Sequence, residues 1–211
     1  MGATSPMGTR EPFEPASLND PVALTTAWTP CVRGGTNICT HTLVERGADR
    51  RAFRPTVKAC VLYAFLLSIS TLPFVTVIHD VIESHSVGFG HAILVFFGSL
   101  FLWFGLWVLW RGTQPIVFDR SLGMYWMGWR TPTHGAAGKR AEVLDLAQVH
   151  ALQVVSEYCA GKRSSFYSYE LNLVLQDGAR LNIVDHGNRT QLRADAEALA
   201  TFLGVPLWDP S

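Results

Sequence analysis

ACVLYAFLLSISTLPFVTVI, residues 59–78, is a run of twenty residues without a charge, and AILVFFGSLFLWFGLWVLW, residues 92–110, is a second run of nineteen. At about 1.5 Å per residue a twenty-residue helix is about 30 Å long, the thickness of a bilayer's hydrocarbon core. A chain of 211 residues has too little remaining mass to enclose two helices that are apolar on every side. The two runs therefore read as transmembrane helices. The segment between them, His79–His91, is short enough to force them into an antiparallel hairpin.

Charges flanking the hairpin set its expected orientation. Arg46, Arg50, Arg51, Arg54 and Lys58 precede the first helix, and Arg111, Arg120 and Arg130 follow the second. No Lys or Arg occurs between Lys58 and Arg111, where the acids are Asp80 and Glu83. Basic residues collect on the cytoplasmic side, so both termini are expected in the cytoplasm, with the His79–His91 segment facing outward. The expected location is the bacterial inner membrane. Trp107 and Trp110 fall where indoles favour the interface. Gly98 and Gly105, seven residues apart, share a helix face and permit close helix contact. Pro73 is expected to kink the first helix.

Composition narrows the function classes. The formal net charge is zero and charged residues make up 16% of the chain, below the ~25% of an average soluble domain. Without a long basic run the chain is a poor candidate for nucleic-acid binding, which depends on neutralising phosphates. Cys31, Cys39, Cys60 and Cys159 lack a disulfide-framework spacing. Residues 1–20 are polar, rich in Pro, Ser and Thr, and lack the apolar core of a signal peptide; they read as a disordered lead-in. Residues 21–57 are expected to form a cytoplasmic segment, strand-rich between Trp28 and Val44 and docked on the domain that follows. Residues 58–111 form the hairpin, and residues 112–211 a cytoplasmic domain.

In that last stretch the periodicity changes. Ile116–Asp119 and Met124–Trp129 flank the turn residues Arg120-Ser121-Leu122-Gly123, which predicts a strand pair. Residues 131–140 are polar and Gly-bearing, a loop. Val149–Cys159 is a long strand, and in Tyr169–Gln176 Leu171, Leu173 and Leu175 alternate with Asn172, Val174 and Gln176. Asp177-Gly178 is a hairpin turn signal, and Arg180–His186 returns. Asn188 or Thr190 then caps a helix whose Leu192, Ala196, Leu199 and Leu203 form one apolar stripe, ended by Gly204 and Pro206. The expected fold class is an α+β membrane protein: a two-helix transmembrane hairpin, then a small antiparallel β-barrel or curved sheet closed by a C-terminal helix.

This order of elements resembles the membrane-anchored bacterial proteins with a pleckstrin-homology-like domain. Two uncharged helices precede the strand beginning Ile116-Val-Phe-Asp, and Tyr169-Glu-Leu-Asn-Leu-Val-Leu-Gln-Asp-Gly leads to a closing helix that ends Phe202-Leu-Gly-Val-Pro. The likeness covers about Ala59–Pro210. It implies a non-enzymatic binding or assembly module at the cytoplasmic face, with a protein partner or a larger membrane complex. Phosphoinositide-binding members use a basic cluster in the first strand pair. Only Arg120 and Arg130 stand between Ile116 and Arg130 here, so inositol-lipid binding is not implied.

Two other classes compete. His79, His85 and His91, with Asp80 and Glu83, could supply metal ligands for a metal-handling or transport accessory protein. Their spacing does not match a known i,i+4 metal-binding pair such as HExxH, and a polar interfacial loop is the plainer reading. Arg111, Arg120, Arg130, Lys139 and Arg140 could instead attract an anionic lipid headgroup. Cys31, Cys39 and His41 are too loosely spaced for a structural zinc site. Gly34-Gly35 lacks the context of a phosphate loop. Asp185-His186, at a strand end before a helix cap, reads as turn chemistry. The aromatics Tyr125, Trp126 and Trp129 read as core. No nucleophile motif is present, and no catalytic residue, cofactor or metal site is assigned.

Overall fold

The computed structural model describes residues 13–32, 34–133, 143–161 and 165–210. Lys139 and Arg140, and most of the loop expected at 131–140, lie outside them. Two helices long and apolar enough to cross a membrane are present, Val57–Ser84 and Phe89–Gly112. The first is two helices in series, α2 (Val57–Ser70) and α3 (Leu72–Ser84), broken at Thr71; α1 is a single turn at Pro21–Thr25. Pro73, which lacks the N–H a continuous helix needs, lies at the second position of α3. At the break the Thr71 N–H bonds the Ser68 carbonyl at 3.2 Å.

The return helix α4 spans Phe89–Gly112. Both helices overrun the stretches expected from apolarity, so most of 79–91, expected as a loop, is helical. The connection is four residues, starting at His85, whose φ of 52° closes α3. The glycine face forms as expected. A Cβ at Gly98 would stand 3.0 Å from the Pro73 side chain, and one at Gly105 would stand 3.3 Å from the Ser70 hydroxyl.

Among the described residues nine strands make two sheets. The first is antiparallel in the order β1 (His41–Glu45), β2 (Arg50–Pro55), β3 (Ile116–Asp119), β4 (Met124–Met127), β5 (Val143–Asp145). The second is β8 (Arg180–His186), β7 (Ser165–Leu175), β6 (Val149–Ala160) and β9 (Leu207–Trp208), with β9 parallel to β6. The described strands form two open sheets, where one barrel or one curved sheet was expected. Between the inner faces, Phe53, Ile116, Phe118 and Tyr125 meet Leu152, Val154, Leu171 and Leu173.

Helix α5 (Arg189–Leu203) closes this core with Leu192, Ala196 and Leu199, each fully buried, and Leu203 at the margin. The Asn188 side chain accepts the Gln191 N–H at its N-cap, and Gly204, at φ 73°, ends it, a left-handed cap that glycine adopts without strain.

The sheet of β3–β5 takes in strands from both sides of the helical hairpin. β2 pairs with β3, Phe53 opposite Ile116, so the hairpin is inserted between neighbouring strands, and β1 and β2, from residues 41–55, belong to the same sheet as β3–β5. Of the lead-in expected to be disordered, Pro15–Leu18 forms a 3-10 turn, and the Asp20 carboxylate meets the His150 ring at 2.7 Å.

A polar residue of α5, Asp195, is buried as well. It is 7% exposed and accepts the Leu43 N–H at 3.0 Å, because β1, an edge strand, comes to rest beside α5. Leu199→Ala should therefore cost about 2–5 kcal/mol as a core truncation. Asp195→Ala should cost about 1–3 kcal/mol by stranding a backbone donor, and Glu197→Ala under ~0.5 kcal/mol. Denaturant unfolding of the full-length protein in detergent measures all three. A chain beginning at Thr113 should fail to fold, whereas one in which a short Gly-Ser turn replaces residues 57–113 should give a cooperative transition.

Candidate functional site

Strand alternation puts Gln153 of β6 and Ser168, Glu170 and Asn172 of β7 on the face away from α5. All four are nonetheless buried, because residues 27–32 and 34–37 lie across that face. The Glu170 carboxylate accepts the N–H groups of Cys31 (2.8 Å) and Val32 (3.1 Å). Glu157 accepts those of Gly34 (3.2 Å) and Gly35 (3.1 Å), and the Ser168 hydroxyl accepts that of Thr36 at 2.9 Å. In the other direction Gln153 donates to the Ala27 carbonyl and Arg180 to the Thr29 carbonyl. The strap and the sheet thus satisfy each other's polar groups, which a buried surface requires.

The fit is close enough to specify glycine. A Cβ on Gly35 would overlap the Ser168 side chain, and one on Gly187 would overlap the Asn37 backbone. Trp28 anchors the start of the strap, 5.7 Å from the Trp208 ring. Burial, and then the charge of Glu170, push the Cys31 thiol up to about 11, so it stays protonated at neutral pH.

A cavity of about 240 Å³ opens between the sheets at the foot of the hairpin. Its polar lining includes His41, Arg111, Gln114, Asn182 and Asp185. Arg111 reaches the Gln114 side-chain oxygen at 3.2 Å. Burial pushes the His41 pKa down and the Asp185 pKa up, while Asn182 donates to Asp185 at 3.0 Å. Both groups are displaced toward their neutral forms.

The residues singled out from sequence scatter. His79 of α3 stands 3.4 Å from Glu83, and His91 of α4 stands 3.6 Å from Asp80, so the helix tips bring four of the five polar residues together. His85 is exposed at the cap of α3. Among the described residues no group of three or more His, Cys, Asp or Glu is placed to hold a metal ion. Arg111 lies at the foot of α4 and Arg130 just beyond β4. Arg120 lies at the far end of β3, with its guanidinium 5.5 Å over the Phe202 ring, so these arginines do not converge on one headgroup. Asp185 and His186 are the last two residues of β8, and His186 Nδ1 accepts the Asn188 N–H at 3.0 Å just before α5. Tyr125 is core, whereas Trp126 faces the outer side of its sheet and Trp129 is exposed.

Sequence reasoning missed the strap's seat. Glu170 and Asn172 occupy alternating strand positions, a pattern that reads as a solvated face. The unusual composition of residues 28–37 was the available signal. No protein-family model, curated protein sequence or solved structure matches the chain.

Two outcomes follow from the strap and the buried rings. Gly35→Ala and Glu170→Ala should each lower the unfolding midpoint and speed protease cleavage within residues 27–37, while Thr29→Ser should do neither. Burial holds the pKa of His41 and of His186 below the ordinary 6.5. The unfolded chain therefore takes up more protons, and the stability these rings contribute is complete above about pH 6.5 and lost as pH falls below it. The unfolding midpoint should drop between pH 7.5 and 5.5, and His186→Gln should flatten that dependence.

Proposed function

We propose that the chain is a non-enzymatic protein of the bacterial inner membrane that presents a pleckstrin-homology-like binding or assembly module at the cytoplasmic face. Its partner is another protein or a subunit of a larger membrane complex. The observation that carries this reading is the insertion of the hairpin between β2 and β3. One residue, Thr56, separates β2 from α2, and three, 113–115, separate α4 from β3. Thr56 is itself bound on both sides: its hydroxyl donates to the Cys39 carbonyl at 2.7 Å and caps α2 by accepting the Ala59 N–H. With both junctions so short the domain cannot tumble on a tether. A module mounted at a fixed height and angle suits docking to a partner in or beside the same membrane. The uncharged runs 59–78 and 92–110, with five bases at 46–58 before the first and none between the two, support both termini being cytoplasmic.

Reporter fusions after Ser211 and within residues 85–88 test the membrane placement and should report opposite sides. A common side for both would end this topology. For the binding role, in-cell photo-crosslinking from Tyr158 and Tyr167, both exposed on the sheet of β6 and β7, should give one discrete adduct at a stoichiometric level. Diffuse labelling proportional to cell-protein abundance would refute a dedicated partner at that surface.

A further inference from the structure

We infer that the outer face of β2, β3 and β4 carries a site for the phosphate-bearing headgroup of an anionic phospholipid. The inference rests on the proposed membrane placement of the hairpin and uses a surface apart from the cavity between the sheets. A groove of about 310 Å³ there is lined by Arg46, Arg50, Arg54, Trp126 and Trp129. The three arginines have different environments. Arg50 is neutralised: its Nε and Nη2 meet Asp119 Oδ2 at 2.7 and 2.5 Å, and its guanidinium lies 5.7 Å over the Trp126 ring. Burial alone would raise the Asp119 pKa, but the Ser121 hydroxyl, Arg50 and the Leu122 N–H together hold it below the usual range, so this pair stays ionised. It makes a flat floor with the buried indole.

Arg46 and Arg54 differ. Both are exposed, and among the described residues neither has an acidic partner. Two unneutralised guanidinium groups therefore flank a polar, indole-floored groove, and guanidinium is the side chain that best matches a phosphate's oxygens in pairs.

The groove's position points to lipid as the source of the phosphate. Arg54 is three residues before the first residue of α2, and Pro115 of the same groove is three residues after the last of α4. The Gly128 N–H bonds the Pro115 carbonyl at 2.8 Å, which holds the end of β4 and the exposed Trp129 at the same level. One end of the groove thus opens at the feet of the helices, where a spanning hairpin meets the headgroups and where indoles favour the interface. From Arg54 the groove runs along β2 away from the helices, about 13 Å to Arg50, with Arg46 beside it across the β1–β2 turn. We place the phosphodiester at Arg54 and the rest of the headgroup over the Trp126 floor toward Arg46.

The test uses the full-length protein, stripped of lipid in a neutral detergent, and native mass spectrometry with phosphatidylglycerol or phosphatidylcholine added. Phosphatidylglycerol should be retained preferentially, and Arg46→Gln with Arg54→Gln should weaken that preference by about tenfold. Arg54→Lys, which keeps the charge, should recover part of it. The thermal unfolding midpoint of the double variant should match the parent's, since both side chains are exposed. Equal retention of the two lipids by the unaltered protein, or an unchanged preference in the double variant, would overturn the site. Displacement of phosphatidylglycerol by inorganic phosphate at equal concentration would overturn the lipid source and leave a free-phosphate site. A failed membrane placement is registered separately, by the reporter fusions.

Discussion

The hydrogen-bonded pairing of β2 with β3 across an inserted helical hairpin is the constraint on which the rest of this structure depends. Fifty-nine residues, 56–114, leave the sheet after Pro55 and return before Pro115, yet Phe53 and Ile116 end up opposite each other. For that to hold, α2 and α4 must start and finish side by side, at the spacing of two neighbouring strands. The glycines of α4 supply the close approach: Gly98 against Pro73, Gly105 against Ser70, and Gly112 against the Tyr63 ring. Sheet register and helix contact are one geometric condition, and neither element can shift without straining the other.

That condition makes the domain of the two sheets discontinuous in sequence. β1 and β2 are made before the hairpin and β3–β9 after it, so the core between the sheets closes only when Phe53 from one side of the insertion meets Phe118 and Leu171 from the other. Helix α5 then seals the core and fixes β1 through Asp195. The strap from residues 27–32 and 34–37 does for the outer face of the second sheet what α5 does for its inner face, with carboxylates and backbone N–H groups in place of leucines. Over Glu170–Val174 both faces of β7 are therefore buried, one dry and one hydrogen-bonded to the strap, which is why an alternating strand can lack a solvated side there.

Surfaces left after this closure define where the molecule can meet others. The cavity at the foot of the hairpin has His41 and Asp185 both displaced toward neutrality by burial. The groove along the outer face of β2–β4 has a different character, with two guanidinium groups that the fold does not neutralise. The arginines of 46–54 read in sequence as charge flanking the first helix. Strand pleating separates them: Arg50 and Arg54 turn outward with Ala52, while Arg51 turns inward over Phe202 at 4.7 Å.

Apolarity over twenty residues, the Asp177-Gly178 turn, the Asn188 and Gly204 caps and the Leu192–Leu203 stripe are local signals. Each acts within one or two turns of chain, so the sequence by itself determined the two long helices, the β7–β8 hairpin and the closing helix. Helix ends were less legible: His79, Asp80 and Glu83 are polar enough to suggest a loop, yet they continue α3, because a helix outside an apolar stretch needs only unbroken backbone hydrogen bonds. Arg50-Arg51-Ala52-Phe53-Arg54 looked like flanking charge and is a central strand, since what makes it one is a partner that follows 60 residues later. Glu170, Asn172 and Asp195 carried no mark of burial, because a polar side chain is buried only where a distant segment brings it hydrogen-bond partners. Long-range pairing of that kind, across the hairpin and beneath the strap, is what only the tertiary structure decided.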